Sequence, residues 1–164
     1  MYNRAILSLG GNQGDRVELL SMAIREISRK NPVIKISSIY ETEAWGSVAF
    51  GDFLNQVVVI ETEFTPNKLL QYLQKIELKL GRERNQHWGN RTMDIDILYY
   101  EDKIITSEEL TIPHPFIQDR SFVLVPLAEI SSDYVHPILG KSSLELLKSC
   151  SDSSKVKIFL NSNL

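Results

Sequence analysis

Between Val33–Glu41 and Phe53–Thr62 the chain carries no helical pattern, and that gap constrains the fold more than any other feature. Both flanking stretches read as strands. The first holds β-branched residues in partial alternation, and the second contains Val57-Val58-Val59-Ile60. The residues from Thr42 to Asp52 include Gly46 and Gly51, show little periodicity and read as a long loop. Parallel neighbours need a crossover, usually a helix, so the gap argues against a parallel doubly wound sheet. Upstream, Ala5–Leu9 reads as a strand that stops at Gly10-Gly11-Asn12-Gln13-Gly14. Asp15, with Glu18 three residues later, marks a helix start of the capping-box kind. Val17, Leu20, Ala23, Ile24 and Ile27 then recur at helical spacing to about Lys30, where Asn31-Pro32 ends the helix.

Thr65-Pro66 opens a second helix, with Leu69, Leu70, Leu73, Ile76 and Leu80 on its apolar face and Gly81 at its end. Met93–Tyr100 reads as a further strand. The order strand, helix, strand, strand, helix, strand predicts an α+β fold, a mainly antiparallel sheet with helices packed on it. Beyond it the sequence predicts a hairpin around Asp102-Lys103 and a short helix over Val123–Ile130. A brief helix over Ser142–Ser149 and a late strand over Val156–Leu160 follow. There are no internal repeats and no linker, so 1–164 reads as a single domain of ordinary size.

The formal charge of −3 gives no global attraction to nucleic acid or an anionic membrane, so any anion site must be a local cluster of cations. One cysteine, Cys150, leaves no intrachain disulfide and no metal-binding cysteine pair. No apolar run is long enough to cross a bilayer, and the first residues turn into Gly10-Gly11 too soon for a signal peptide. A cytoplasmic protein is expected.

The local cluster lies just after Gly81. Arg82, Arg84, His87, Trp88 and Arg91 precede Asp94 and Asp96, with Gly89 and Asn90 among them. On a strand, Asp94 and Asp96 share one face, roughly 6.5 Å apart along it, while Met93, Ile95 and Ile97 turn to the other. Taken alone, Asp-x-Asp is more often a solvated strand face, and an arginine-rich segment more often a solvated helix end. Together each explains the other: Arg forks match phosphate oxygens, and carboxylates with phosphate oxygens and water are Mg²⁺ ligands. Phe53 and Asn55 share a face away from Leu54 and suit a flat heterocycle, although a half-buried strand end explains them as well. The glycine run at Gly10 lacks the Lys-Ser/Thr of a phosphate-binding loop. His114, Arg120 and Phe122 are unremarkable one at a time.

In combination these segments resemble the 6-hydroxymethyl-7,8-dihydropterin pyrophosphokinase family of folate biosynthesis. The resemblance runs from Ile6 to about Ile130 and leaves 131–164 as an extension of the same domain. It is carried by Leu7-Ser8-Leu9-Gly10-Gly11-Asn12, Ser37-Ser38-Ile39-Tyr40-Glu41-Thr42 and Phe53-Leu54-Asn55. It continues in His87-Trp88-Gly89-Asn90-Arg91-Thr92-Met93-Asp94-Ile95-Asp96-Ile97, Pro113-His114 and Arg120-Ser121-Phe122. It implies a ferredoxin-like fold, a monomer, and transfer of the β,γ-diphosphate of ATP to the pterin hydroxymethyl oxygen with release of AMP. By the same resemblance, Asp94 and Asp96 hold two Mg²⁺ ions, and Arg82 and Arg91 assist transfer. Asp96 is a conceivable general base, although a metal-bound carboxylate is a poor one. Gln74, Arg84, Trp88, Arg91, Ile97, Thr111, His114 and Arg120 match positions around ATP. Thr42, Trp45, Phe53, Asn55 and Phe122 match the pterin pocket, with Phe53 and Phe122 sandwiching the ring and Asn55 reading its polar edge. Glu77 lies beside the same helix end. The chain departs from the family at His87, Asn90, Glu43-Ala44-Trp45 and Pro115, the last standing where an aromatic residue is common.

Two other readings fit part of the pattern. One is a different Mg²⁺-dependent phosphotransferase or nucleotidyltransferase with another small-molecule acceptor. The other is a non-catalytic α+β binding module for RNA, which the acidic balance and the carboxylate pair oppose.

Overall fold

The computed structural model describes residues 1–43, 52–81 and 92–162. The strands are β1 (Asn3–Gly11), β2 (Val33–Ile36), β3 (Ile39–Thr42), β4 (Phe53–Thr62), β5 (Asp94–Tyr100), β6 (Ile105–Thr106), β7 (Thr111–Ile112) and β8 (Val156–Leu160). The helices are α1 (Arg16–Ser28), α2 (Pro66–Lys79), α3 (Ser121–Ser131) and α4 (Ser143–Ser149), with a 3₁₀ turn at Ile117–Asp119. The main sheet runs β5-β1-β4-β3-β8, with β2 also on β4, and each of its pairings is antiparallel. The α+β architecture expected from the missing crossover helix is the one found.

Local chemistry starts the helices. The Asp15 carboxylate accepts from the Glu18 N–H at 3.2 Å, but among the described residues Glu18 makes no return bond, so only half of the expected capping box forms. Thr65 caps α2, with Pro66 in the first turn. Ser142 and Glu145 form the complete reciprocal box at α4. The single strand expected over Val33–Glu41 is instead two. At the break the Val57 N–H is taken by Ser37 Oγ and the Ser38 N–H by the Glu129 carboxylate, so side chains replace ladder bonds there. The expected hairpin around Asp102-Lys103 is a turn, closed by Lys103 N–H to the Tyr100 carbonyl. The strand after it, β6, pairs with β7 in a separate two-stranded sheet rather than returning along β5. The helix expected over Val123–Ile130 is longer at both ends.

The sheet has a core on each face, sorted by the period-2 alternation of its strands. Leu7 and Leu9, Leu54 and Val58, and Ile95 and Ile97 join Leu20, Ile27, Leu69 and Leu73 of α1 and α2. Ile6, Val57, Val59 and Tyr99 join Leu124 and Leu127 of α3 and Leu146 of α4. The register of β5 on β1 slips between Ile6 and Leu7, opposite Tyr99 and Ile97, leaving Leu98 as the extra residue of a β-bulge. Glu129 anchors α3 to β3, accepting from Ser38 Oγ at 3.0 Å and the Tyr40 hydroxyl at 2.7 Å.

Candidate active site

On the α3 face the apolar core takes in Ile6, Val57, Val59 and Tyr99, and farther along the same strands stand the polar residues that the sequence singles out. Asn55 is paired with Tyr40 on one side and Gly10 on the other, and Gly10 is paired with Asp94. Tyr40, Asn55, Gly10 and Asp94 thus form one row across four strands. Asp96 follows two residues along, opposite Ser8. Asn55 and Asp94 lie two strands apart, about 10 Å from the strand spacing. Thr42 pairs with Phe53 at the end of the β3–β4 ladder.

Gly10, where the sequence predicts the strand to stop, is a strand residue with a packing role. A Cβ on it would lie 2.4 Å from Asn55 Oδ1 and 3.2 Å from the Leu54 carbonyl oxygen. Only the absent side chain lets the Asn55 amide lie across β1. Asn55 is 6% exposed, yet its Nδ2 has no hydrogen-bond partner among the described residues, and the same holds for Thr42 Oγ1 at 3% exposed. Unpaired buried donors are costly, and a polar ligand edge at this row would satisfy both.

The carboxylates are set from the edge of the sheet. Met93, Ile95 and Ile97 are buried on the opposite face, as the alternation predicts. Glu77, almost wholly buried in α2, accepts the Ile95 N–H at 2.8 Å and so fixes the outer edge of β5 between the two aspartates. The bulge residue Leu98 offers its carbonyl to the His114 N–H at 3.0 Å. This seats Pro113–Pro115 along β5 and brings His114 Nε2 to 3.9 Å from Asp96 Oδ2. Burial lowers the His114 pKa to about 4, with the Arg120 cation adding to the effect and Asp94 opposing it. The imidazole is therefore neutral at pH 7. The Phe116 N–H donates to Nδ1 at 3.2 Å, so the ring proton sits on Nε2, on the Asp96 side.

The Arg120 guanidinium contacts two rings, 5.0 Å from the Phe116 centroid and 5.7 Å from that of Phe122. Phe116 also packs edge-on against His114 at 5.9 Å. Phe116, one position after Pro115, thus sets an aromatic ring against both His114 and Arg120. Phe122 starts α3 on the same side of the sheet as Phe53. Ile97 puts its side chain in the opposite core, Gln74 is exposed on α2, and Thr111 is exposed on β7. Trp45, Arg82, Arg84, Trp88 and Arg91 lie outside the described residues.

A family model described as 7,8-dihydro-6-hydroxymethylpterin-pyrophosphokinase (HPPK) matches residues 6–132. The chain belongs to the HPPK family. Among curated members, 2-amino-4-hydroxy-6-hydroxymethyldihydropteridine pyrophosphokinase of Aquifex aeolicus is 42% identical over 135 residues, 82% of this chain and 84% of that protein. The Haemophilus influenzae protein of the same name is 42% identical over 156 residues, 94% and 97% of the two chains. HPPK-DHPS of Plasmodium falciparum shares the fold, with a TM-score of 0.71 at 20% identity. That match covers 90% of this chain and 44% of the other, so this chain spans less than half of that protein. The HPPK match ends at 132, before α4 and β8. Both elements are nevertheless built into the domain, α4 in the α3-side core and β8 as the strand beyond β3.

Proposed function

We propose that the row from Thr42 and Phe53 to Asp94 and Asp96 carries the pyrophosphokinase reaction of the HPPK family. In it the hydroxymethyl oxygen of 6-hydroxymethyl-7,8-dihydropterin attacks the β-phosphorus of ATP and gives up its proton to solvent, the bond from that phosphorus to the α,β-bridging oxygen breaks, and AMP leaves with that oxygen. The observation that carries the residue assignment is the pair of buried, unpaired groups, Asn55 Nδ2 in the row that also holds Asp94 and Thr42 Oγ1 two residues further along β3 from Tyr40, opposite Phe53. They would hydrogen-bond the polar edge of the pterin, with Phe53 and Phe122 against its faces.

Asp94 and Asp96 fit Mg²⁺: both are oxygen donors on one face, Asp96 is partly open to solvent, and among the described residues no third His, Cys, Asp or Glu completes a metal cluster. Phosphate oxygens and water would supply the remaining ligands, and we assign two ions to the pair. When bound, Mg²⁺ offsets the phosphate charge and stabilises the transferring group. The neutral His114 can donate from Nε2 to a phosphate oxygen. Arg120, in contact with Phe116 and Phe122, presents a guanidinium beside it. Arg82, Arg84 and Arg91 would supply further cations and Trp88 an aromatic surface, with Gln74 and Thr111 around ATP and Trp45 at the pterin; Ile97, whose side chain lies in the opposite core, would meet ATP only through its main chain. Phosphoryl transfer depends mainly on alignment and charge stabilisation, and these side chains provide both. We further propose that 1–164 acts as one domain, as a monomer in the cytoplasm; β8 supports the first point, since it carries the chain end back into the sheet of β1.

The test is product analysis with ATP, Mg²⁺ and the pterin, comparing wild type with Asp96→Ala. AMP that requires the pterin and collapses in the variant supports the reading. ADP, or AMP undiminished in a folded Asp96→Ala protein, overturns the assignment.

A further inference from the structure

Arg16 is the first residue of α1, immediately after its N-cap Asp15. A cation there opposes the helix dipole, whose N-terminal end favours acidic side chains. A residue that breaks a local rule needs a compensating interaction elsewhere, and Arg16 has three. Its Nη1 donates to Glu41 Oε2 at 3.0 Å and to the Asp52 main-chain carbonyl at 2.8 Å, and its guanidinium lies 5.3 Å from the Phe159 ring centroid. The side chain is only 26% exposed. Glu41 belongs to β3, Asp52 immediately precedes β4 and Phe159 belongs to β8. One guanidinium therefore ties the start of α1 to three segments at one corner of the sheet.

That corner backs the Thr42–Phe53 row. Glu41 and Thr42 are successive strand residues and point to opposite faces. Thr42–Phe53 is the last pair of the described β3–β4 ladder, and ladder ends open most readily. By joining Glu41, one position inside that last pair, to the Asp52 carbonyl, one position outside it, Arg16 supplies a diagonal tie across the ladder end. We infer that Arg16 is a positioning residue for the pterin pocket: from the α1 face it holds the end of β3 against the start of β4, and so keeps Thr42, Phe53 and Asn55 in register on the other face. This rests on the reading of that row as the pterin site. Arg16 touches no substrate in this arrangement, so its effect is on the acceptor's binding and not on ATP.

Steady-state kinetics test the inference, with pterin and ATP varied separately for wild type, Arg16→Met, Arg16→Lys and Glu41→Gln. Arg16→Met should raise the pterin KM about tenfold and leave the ATP KM and kcat within about twofold. Arg16→Lys, which keeps the charge but lacks the fork, should recover part of the loss. Glu41→Gln should move the pterin KM in the same direction, and the double variant should fall short of the product of the single effects. An unchanged pterin KM in Arg16→Met overturns the inference, and so does an equal rise in both KM values, which would mark a general loosening. If Arg16→Met does not fold, Arg16→Lys and Glu41→Gln decide by the same criteria. Failure of the functional reading looks different: wild type then makes no pterin-dependent AMP and this inference falls with it, whereas an active wild type beside an indifferent Arg16→Met refutes only the role of Arg16.

Discussion

The start of α3, which carries Arg120 and Phe122, has no cap of its own, because Arg120 makes no side-chain capping bond. Asp152 supplies one from 31 residues away, accepting the Ser121 N–H and Oγ–H at 3.0 Å each. It also accepts from Ser154, at 3.0 Å from the N–H and 2.6 Å from the hydroxyl. Burial works against the Asp152 charge, but the hydrogen bonds from Ser154 and Ser121 outweigh it and lower the pKa from 3.8 to about 2. Asp152→Ala removes a charged N-cap, a loss of about 1–2 kcal/mol. The lowered pKa gives an upper bound of about 2.5 kcal/mol, which solvent screening of a partly exposed carboxylate reduces to about 1–1.5 kcal/mol. The two routes agree. Urea melts at pH 7 should show the variant less stable by that amount at an unchanged m value, and each kcal/mol lowers Tm by about 2–4 °C at this chain length. The sign with pH follows from a depressed folded pKa. The Asp152 contribution is complete above 3.8 and disappears as pH falls through about 2, so the gap between wild type and variant should narrow from pH 4 downward. A gap below about 0.3 kcal/mol at pH 7, well under the range for a cap, would refute the capping role, as would a gap that stays constant down to pH 2.5.

Gly10→Ala places a Cβ 2.4 Å from Asn55 Oδ1, so the amide must move; we expect a higher pterin KM and a stability loss of about 1–3 kcal/mol, read by kinetics and urea melts. Glu77→Ala leaves the Ile95 N–H without the acceptor it has at 2.8 Å and should cost about 1–3 kcal/mol, with Glu77→Gln costing less because it keeps an oxygen in place. Buried His136 accepts at Nδ1 from the Ile138 and Leu139 N–H groups at 3.2 and 3.1 Å, and burial lowers its pKa from 6.5. The unfolded chain therefore binds the proton first, and stability should decline as pH falls below 6.5; melts at pH 7 and pH 5 should show that decline weakened in His136→Gln.

Much of the scaffold was legible because its signals are local. The limits of β4 and β8, the Asp15 and Thr65 caps and Pro66 in the first turn of α2 all follow from residues within four positions of one another. Alternation along β5 was enough to put Asp94 and Asp96 on one face and Ile95 and Ile97 on the other. What stayed hidden depends on partners distant in sequence. The break at Ser37-Ser38 needs Glu129, the seating of His114 needs the Leu98 bulge, and Gly10 acquires its role only when Asn55 crosses it. Asp152 acquires its role only because α3 starts without a cap, and Arg16 only because Glu41, Asp52 and Phe159 converge on it. Periodicity and capping act within a turn or two of chain, so the main strands and helices and their apolar faces could be read locally, whereas the split at Ser37-Ser38 and the β6–β7 pairing could not. Which side chains close the ends of those elements and meet at the site depends on bonds between residues far apart in the chain, such as Arg16 with Glu41 and Ser38 with Glu129, and about such separations local pattern carries no information.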